Sequence, residues 1–251
     1  MKVFLKAVLE TFGVLRPAQA LRRQMALGMR RLSHAMGVIL HKPSESRWYW
    51  EARGKVFFDQ VRSIFSEGDP NYHAQQEFLD ALSGIEWDSA LEVGCGFGWQ
   101  LRAIRRRHPE KRIVGVDFSF SQLRRGLDYL NGSRVSLGQA DARRLPFADG
   151  TFDLVCTSGC LIYMHASVLP AALAELTRVA RRSVVLLEYA REHMDSPARR
   201  VLMEGADWHG HNYTPALAQA GLRLVNAFRC LAFERHPDRV PFSLFLAEKA
   251  C

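Results

Sequence analysis

The chain has 251 residues and a formal charge of +8, from 34 Lys and Arg against 26 Asp and Glu. That length fits one α/β domain with additions better than two full domains. A hydrophobic content of 48% and a charged content of 24% are ordinary for globular proteins, and they exclude a disordered, collagen-like or coiled-coil chain. The five cysteines are odd in number and lack the spacing of a disulfide framework or a zinc site, so we expect reduced thiols in a cytoplasmic protein.

The positive charge is concentrated at one end of the chain. Residues 1–42 contain eight basic residues and a single acid, a net charge of +7, whereas the remaining residues carry 26 basic and 25 acidic groups. A protein that binds duplex nucleic acid usually needs a broad basic face. The nearly neutral body of the chain therefore makes nucleic acid an unlikely partner.

Within this basic arm, apolar residues recur at helical spacing from Leu21 to Ile39, with arginines on the opposite side. The pattern predicts a basic amphipathic helix over residues 18–40, entered at Pro17. Two interpretations are open: a lid or packing helix on the main domain, or a helix that contacts an anionic membrane surface through residues 1–42. No apolar run in the arm reaches the roughly 18 to 20 residues of a membrane span.

After a linker at residues 43–46 and an aromatic group, Trp48, Tyr49 and Trp50, strands alternate with helices. We expect an arm and cap over residues 1–70 and a catalytic domain over residues 71–251. The alternation predicts a parallel sheet with right-handed crossovers and a late hairpin at its edge. The predicted strands are 90–93, 113–116, 135–137, 152–156, 184–187, 222–228 and 243–247; the predicted helices are 75–82, 101–107, 122–130, 168–179 and one begun by Thr214 as N-cap and Pro215.

Three glycines at alternate positions, Gly94, Gly96 and Gly98, follow the first of these strands. Glycines let the backbone bend sharply and let a ligand approach the peptide. Trp99 stands where a dinucleotide fingerprint would place its third glycine, which disfavours a NAD enzyme. Asp117 ends the next strand, where a carboxylate can accept both hydroxyls of a ribose; the alternative is a neighbour of the following helix N-cap.

A third motif lies at Gln139–Val155, which fits the pattern D-x-x-x-L-P-F-x-D-x-x-F-D-x-V. With the glycine turn and Asp117, it makes the chain resemble the class I S-adenosylmethionine-dependent methyltransferases from about residue 74 to residue 249. Within that class it is most similar to the small-molecule, methyltransferase type 11-like group. The resemblance implies a Rossmann-like α/β fold with a seven-stranded, mostly parallel sheet, a late antiparallel hairpin, and S-adenosyl-L-methionine as cofactor.

The resemblance also implies roles for individual residues. Asp153 would be structural, at the start of its strand. The cofactor residues would be Glu92, Gly94, Gly96 and Gly98 for the methionine part, Asp117 for the ribose, Phe118 against the adenine, Asp141 for the adenine amino group and the Ala142 amide for a ring nitrogen.

Methyl transfer to an oxygen or an ammonium nitrogen needs a base of near-neutral pKa, and histidine is the natural candidate. His165, His209 and His211 follow the fourth and fifth strands, where substrate should approach. The His-x-His spacing has no accompanying Cys or carboxylate pattern, so we expect no metal. The predicted lining of the acceptor site is Tyr163, Glu188 and Tyr213, closed over by the aromatic group with Trp48 and Tyr49.

The sequence thus predicts transfer of a methyl group, by in-line displacement, to an O or N of a small molecule, a sugar or glycan, or a lipid precursor. Two alternatives are a nucleic-acid or protein methyltransferase, and an inactive cofactor-binding regulatory protein. Against the first, the turn after the fourth strand reads Thr157-Ser158-Gly159-Cys160 and lacks the N/D-P-P-Y/F sequence that grips a flipped base.

Overall fold

The fold is that of a computed structural model, which describes residues 45–54, 56–61, 68–197, 199, 208–234, 236 and 239–249. The predicted helix over residues 18–40 lies outside these ranges, and both interpretations of it stay predictions. Within the described part of the chain, no helix has the length and hydropathy needed to cross a bilayer.

The centre of the fold is a seven-stranded sheet of order β3-β2-β1-β4-β5-β7-β6. Strands β1 to β5 are parallel to one another, and β7 runs antiparallel to both β5 and β6. The predicted late hairpin is therefore confirmed, as is the Rossmann-like sheet. The strands are β1 (Ser89–Val93), β2 (Arg112–Asp117), β3 (Ser136–Gln139), β4 (Phe152–Ser158), β5 (Ala180–Glu188), β6 (Leu222–Arg229) and β7 (Ser243–Lys249).

Helices cover both faces of this sheet. Successive residues of a strand point to opposite sides, so the apolar residues of one strand pack against helices on both faces. Ala90 packs with one group of helices and its neighbour Leu91 with the other. The central strands are buried on both faces, which is why they are nearly continuous apolar runs. The helices are α1 (Arg47–Gly54), α2 (Phe57–Val61), α3 (Pro70–Ser83), α4 (Trp99–Arg107), α5 (Phe120–Tyr129), α6 (Leu169–Val179) and α7 (Tyr213–Gln219).

The predicted start of α7 is wrong by two residues. The helix begins at Tyr213 after Asn212, whose side chain makes no capping bond. The carboxylate of Glu192 accepts instead from the Tyr213 and Thr214 amides at 2.7 and 3.0 Å. A distant carboxylate thus caps this helix, and Pro215 lies in its first turn, where its missing N–H is tolerated.

Asp153 lies at the amino-terminal end of β4, away from the glycine turn. Its Oδ2 accepts from the Asp88 and Ser89 amides, each at 3.1 Å, and from the Ser89 hydroxyl at 2.9 Å. Arg181 pairs with its other oxygen. These bonds join the starts of β1 and β4, so the contacts of Asp153 are structural.

Helices α1 and α2 form a cap against α5. Gly54 allows the close approach, since a Cβ there would lie 2.9 Å from the Gln122 nitrogen. The Glu51 carboxylate accepts from the Phe120 amide at 2.7 Å, and from the Ser121 amide at 3.0 Å and its hydroxyl at 2.8 Å. The cap therefore satisfies the free amides at the start of α5.

Candidate active site

The glycine turn after β1 is shaped mainly by packing. Gly94 has φ +74°, and a Cβ there would lie 2.2 Å from the Cys160 sulfur; a Cβ on Gly98 would lie 2.5 Å from Leu130. Gly96 has φ +55°, and no atom of the described residues lies within 4 Å of its Cβ position. The peptide of Gly96 is thus the one of the three that a ligand can approach directly.

Asp117 faces this turn from the end of β2. Its Oδ2 accepts from the Gly96 amide at 2.9 Å and its Oδ1 from the Ser119 amide at 2.8 Å. The residue is 8% exposed. Burial raises the pKa of Asp117 to about 6, although these bonds favour the charged form.

Glu92, on β1, is more deeply buried than Asp117. One of its carboxylate oxygens, Oε2, accepts no hydrogen bond from the described residues, and the side chain is inaccessible to bulk water. Burial, and then the charge of Asp117, raise its pKa well above the usual range. A buried acceptor of this kind fits a ligand that brings its own donor, such as an ammonium group.

The third carboxylate, Asp141, lies two residues beyond β3. Arg143 pairs with it through Nε at 2.9 and 3.1 Å, and this hydrogen bonding holds the pKa of Asp141 below its usual range. Ala142 is buried beside it, and Phe118, at the end of β2, is half-buried. Because β3, β2 and β1 are adjacent in the sheet, Asp141, Asp117 and Glu92 lie side by side at the carboxyl ends of these strands.

S-adenosylmethionine carries three groups that donate hydrogen bonds: the adenine amino group, the ribose hydroxyls and the methionine ammonium. These three groups follow one another along the cofactor, and the three carboxylates follow one another in the same way at the carboxyl ends of the adjacent strands β3, β2 and β1. Gly96, and the Glu92 oxygen to which no described residue donates, lie at the β1 end of this row, where the methionine part would bind. The residues present therefore fit the cofactor that the resemblance implies.

Beyond β4, the backbone forms a tight turn at Leu161–Tyr163, supported from below by Glu188. The Glu188 carboxylate accepts from the Thr157 hydroxyl at 2.8 Å and from the amides of Cys160, Leu161 and Ile162 at 3.0, 3.1 and 3.4 Å. Burial raises its pKa to about 7 despite these donors. Because Glu188 is completely buried, it holds the backbone of the turn after β4 and does not line an open surface, contrary to the sequence expectation.

The three candidate histidines lie together, in different environments. His211 is buried, and its Nε2 lies 3.2 and 3.1 Å from the carbonyl oxygens of Leu161 and Met164, to which it must donate. His165 accepts from the Ser167 amide through Nδ1 at 3.2 Å. These contacts show that the His211 and His165 rings hydrogen-bond to the loop after β4. They weaken the expectation that either histidine is the base.

His209 is the histidine held by a carboxylate. Its Nε2 lies 2.8 Å from Glu45 Oε1, and its backbone amide donates to the Ile162 carbonyl at 2.6 Å. Its ring centroid is 5.6 Å from that of His165 and 6.0 Å from that of His211. His209 is partly exposed and has a carboxylate partner, which is the arrangement found in many acid–base histidines.

The aromatic residues of the cap divide between the two sides of α1. The buried Trp50 makes an edge contact with Tyr163 at 4.8 Å between centroids, and Tyr49 packs against Trp50 at 5.3 Å. Trp48 is 72% exposed and points away, since residues two apart on a helix face opposite sides. Trp50, not Trp48, therefore approaches the acceptor side.

Tyr213 is also completely buried, and in the described part of the chain its hydroxyl has no hydrogen-bond partner. It packs edge-on against His211 and against Phe245 of the sheet. The expected substrate-lining role of Tyr213 is therefore not supported by its position.

The sequence analysis assigned no role at this site to three residues that contact its members: Glu45, Glu51 and Trp208. Trp208 donates to the Tyr163 hydroxyl, and burial raises the pKa of that phenol to about 12, which makes Tyr163 a poor base at neutral pH. No local pattern marks these residues, because Glu45 and Glu51 are joined to partners 164 and 69 residues or more away.

A sheet of this order, with carboxylates at the ends of three adjacent strands and a glycine turn after β1, is the Rossmann-like fold found in class I methyltransferases. The comparisons agree. Residues 90–183 match a family model described as a methyltransferase domain. A demethylmenaquinone methyltransferase of Roseiflexus sp. (strain RS-1) is 29% identical over 177 residues, which cover 64% of this chain and 71% of that protein.

A second demethylmenaquinone methyltransferase, from Roseiflexus castenholzii (strain DSM 13941 / HLO8), is 34% identical over 134 residues, or 52% of this chain and 53% of the relative. This match spans about half the length of that relative. Magnesium protoporphyrin IX methyltransferase from Synechocystis PCC 6803, solved with bound SAH, superposes with a TM-score of 0.61 at 16% identity, over 79% of this chain and 96% of that one. Residues 90–183 thus form a methyltransferase domain, and the fold around it is similar to that of the class I methyltransferases, which use S-adenosyl-L-methionine as cofactor.

Proposed function

We propose that the protein transfers a methyl group to a planar, conjugated small molecule that carries an ionisable hydroxyl group. The observation that carries this proposal is an aromatic stack beyond the carboxyl ends of β4 and β5. Tyr189 lies between Trp208 and Phe242, with centroid distances of 4.6 and 4.2 Å and interplanar angles of 22° and 16°. All three side chains are partly exposed.

The stack adjoins the turn that carries Tyr163, because Trp208 donates to the Tyr163 hydroxyl and Phe242 lies 3.7 Å from the Cβ position of Gly159. Parallel, partly exposed rings favour a flat, apolar ligand, which packs against them in an offset stack. The name of the two Roseiflexus relatives supports a planar acceptor, since demethylmenaquinone is a quinone, and the ring hydroxyls belong to its reduced, quinol form.

When bound, the cofactor supplies the methyl group on a sulfonium, as an activated electrophile. The protein then has to hold the acceptor in line, about 3 to 3.5 Å from the methyl carbon, and to exclude water. Trp50 and Tyr163 close the site from the cap and from the turn. The proposed base is His209, which would take the proton of the acceptor hydroxyl.

The test is release of S-adenosylhomocysteine from the purified protein with four acceptor classes: hydroxylated naphthalenes or quinols, simple phenols, sugars, and amine lipid head groups. We expect turnover with the planar classes only. Trp208→Ala should lower kcat/KM for them roughly tenfold through loss of ring packing, with cofactor affinity retained.

The matched control is Trp48→Ala, because Trp48 is exposed on the other side of α1 and its loss should leave kcat/KM for planar acceptors unchanged. Turnover of a sugar or head group with no turnover of planar acceptors would overturn the proposal. Tight cofactor binding without transfer to any class would favour a regulatory protein instead.

A further inference from the structure

The contact between Glu45 and His209 joins the segment before α1 to the acceptor side of the domain. Their side chains are 2.8 Å apart (Nε2 to Oε1), and only 16% of His209 and 10% of Glu45 is exposed. The two residues are separated by 164 positions in the chain. When the imidazole is protonated, the ion pair so formed is screened by salt much less than one on the surface.

The main chain holds His209 where the acceptor would be. Its amide bond to Ile162 fixes it to the turn after β4, and its neighbour Trp208 belongs to the aromatic stack. A carboxylate that accepts from Nε2 fixes the imidazole in the tautomer whose Nδ1 is the basic nitrogen. It also stabilises the imidazolium that forms when a proton is taken up, as in carboxylate–histidine pairs of other enzymes.

We propose that Glu45 is a positioning residue for His209 in deprotonation of the acceptor, an inference that rests on the proposed function. In this step the acceptor O–H bond breaks and its proton goes to the imidazole. The oxygen lone pair forms the bond to the methyl carbon, the methyl–sulfur bond breaks, and the sulfur keeps that electron pair. The proton then leaves His209 for water, and Glu45 stays ionised throughout.

Other ionisable groups surround the pair and could influence its titration. Two are the neighbouring imidazoles; the others lie on the turn after β4, to which the His209 amide is bonded, or act on a residue of that turn. Among the described residues these groups are His165, His211, Glu188, Tyr163 and Arg53. A substitution at Glu45 leaves all of them in place, so a change in the titration of His209 reports on Glu45.

The experiment compares Glu45→Gln, Glu45→Asp and His209→Gln with the full-length wild type, at saturating cofactor and acceptor. We expect Glu45→Gln to lower kcat about 10- to 100-fold, the range for a residue that orients a histidine. The acid limb of the pH profile should move to lower pH, because the imidazolium loses its carboxylate partner. Glu45→Asp should restore part of the rate, and Glu45→Gln combined with His209→Gln should be no slower than His209→Gln alone.

Glu51→Gln is the matched control, since it removes a carboxylate that anchors the same cap but does not touch His209. If cap anchoring alone matters, Glu51→Gln and Glu45→Gln will change kcat without moving the acid limb, and the inference is overturned.

A second readout needs no turnover. NMR of imidazole-labelled protein should show the His209 titration midpoint lowered in Glu45→Gln, with cofactor affinity by calorimetry close to wild type. An unchanged midpoint overturns the role of Glu45 even when the enzyme is active. A lowered midpoint in a protein that methylates no planar acceptor supports the pair and overturns the proposed function instead.

Discussion

At the scale of single residues, Asp117 is where stability and binding conflict. It is 8% exposed, and burial raises its pKa to about 6 from an ordinary value of 3.8. Since the folded-state pKa lies above the unfolded one, ionised Asp117 destabilises the cofactor-free fold. That penalty is absent below pH 3.8, grows as the pH rises towards 6, and is constant at higher pH.

Asp117→Asn should therefore raise the free energy of unfolding of the cofactor-free protein at pH 7.5, by up to about 3 kcal/mol. Affinity for S-adenosylmethionine should fall at least about tenfold, because one ionised acceptor is lost. Denaturant unfolding between pH 5 and 8, with calorimetry of cofactor binding, measures both. Asp128→Asn, at an exposed position of α5, is the control. A variant less stable than wild type at pH 7.5 would contradict the argument.

Residues whose position follows from their place in a repeating pattern were predictable. Asp117 was one, because the end of a parallel strand beside a glycine turn is recognisable in the sequence. Glu45 was not, because its partner His209 lies 164 positions away and only tertiary packing joins them. His211 shows the same limit: its spacing suggested chemistry, but two backbone carbonyls use its Nε2.

At the scale of elements, the strands of the sheet and the helices that cover it were predictable from the apolar periodicity. The features that the periodicity did not predict are those in which one element contacts the end of another. The start of α7 was misplaced because Glu192, 21 residues earlier, caps it in place of a local side chain. The docking of α1 on α5 was likewise invisible, because it depends on Gly54 and on bonds that Glu51 makes 69 and 70 residues away.

The anchoring of the cap to α5 is testable through Glu51. Burial raises the pKa of this carboxyl, but hydrogen bonds from Ser121 and Phe120 outweigh it, so the net pKa lies below the ordinary 4.5. Its stabilising contribution is therefore present at neutral pH and is lost as the pH falls below that value.

Glu51→Gln should cost about 1 kcal/mol of stability at pH 7, as for loss of a helix N-cap, and should speed proteolysis of the cap. Chemical unfolding and limited proteolysis measure the two effects. Glu86→Gln, at an exposed position after α3, provides the comparison. A difference between Glu51→Gln and wild type that persists undiminished at acidic pH would contradict an electrostatic anchor.

At the scale of the whole molecule, the charge is divided between a basic arm and a nearly neutral body: residues 1–42 carry +7 of the total +8. Trp50 of the cap already lies against Tyr163, so closing the site does not need the arm. A planar, apolar acceptor would partition into bilayers, and a basic amphipathic helix over residues 18–40 would bring the enzyme to an anionic surface. We therefore favour the membrane interpretation of the arm over the lid.

The full chain should float with vesicles that contain phosphatidylglycerol at low salt, and should dissociate in about 1 M salt, where the Debye length is about 3 Å. Replacing Arg22, Arg23, Arg30 and Arg31 by Gln should weaken partitioning by about 4 kcal/mol, roughly a thousandfold. The control removes equal charge from exposed arginines of the body: Arg106, Arg124, Arg144 and Arg182. Loss of flotation in both variants would indicate net charge rather than the arm, and absence of flotation in the wild type would return the arm to the lid interpretation.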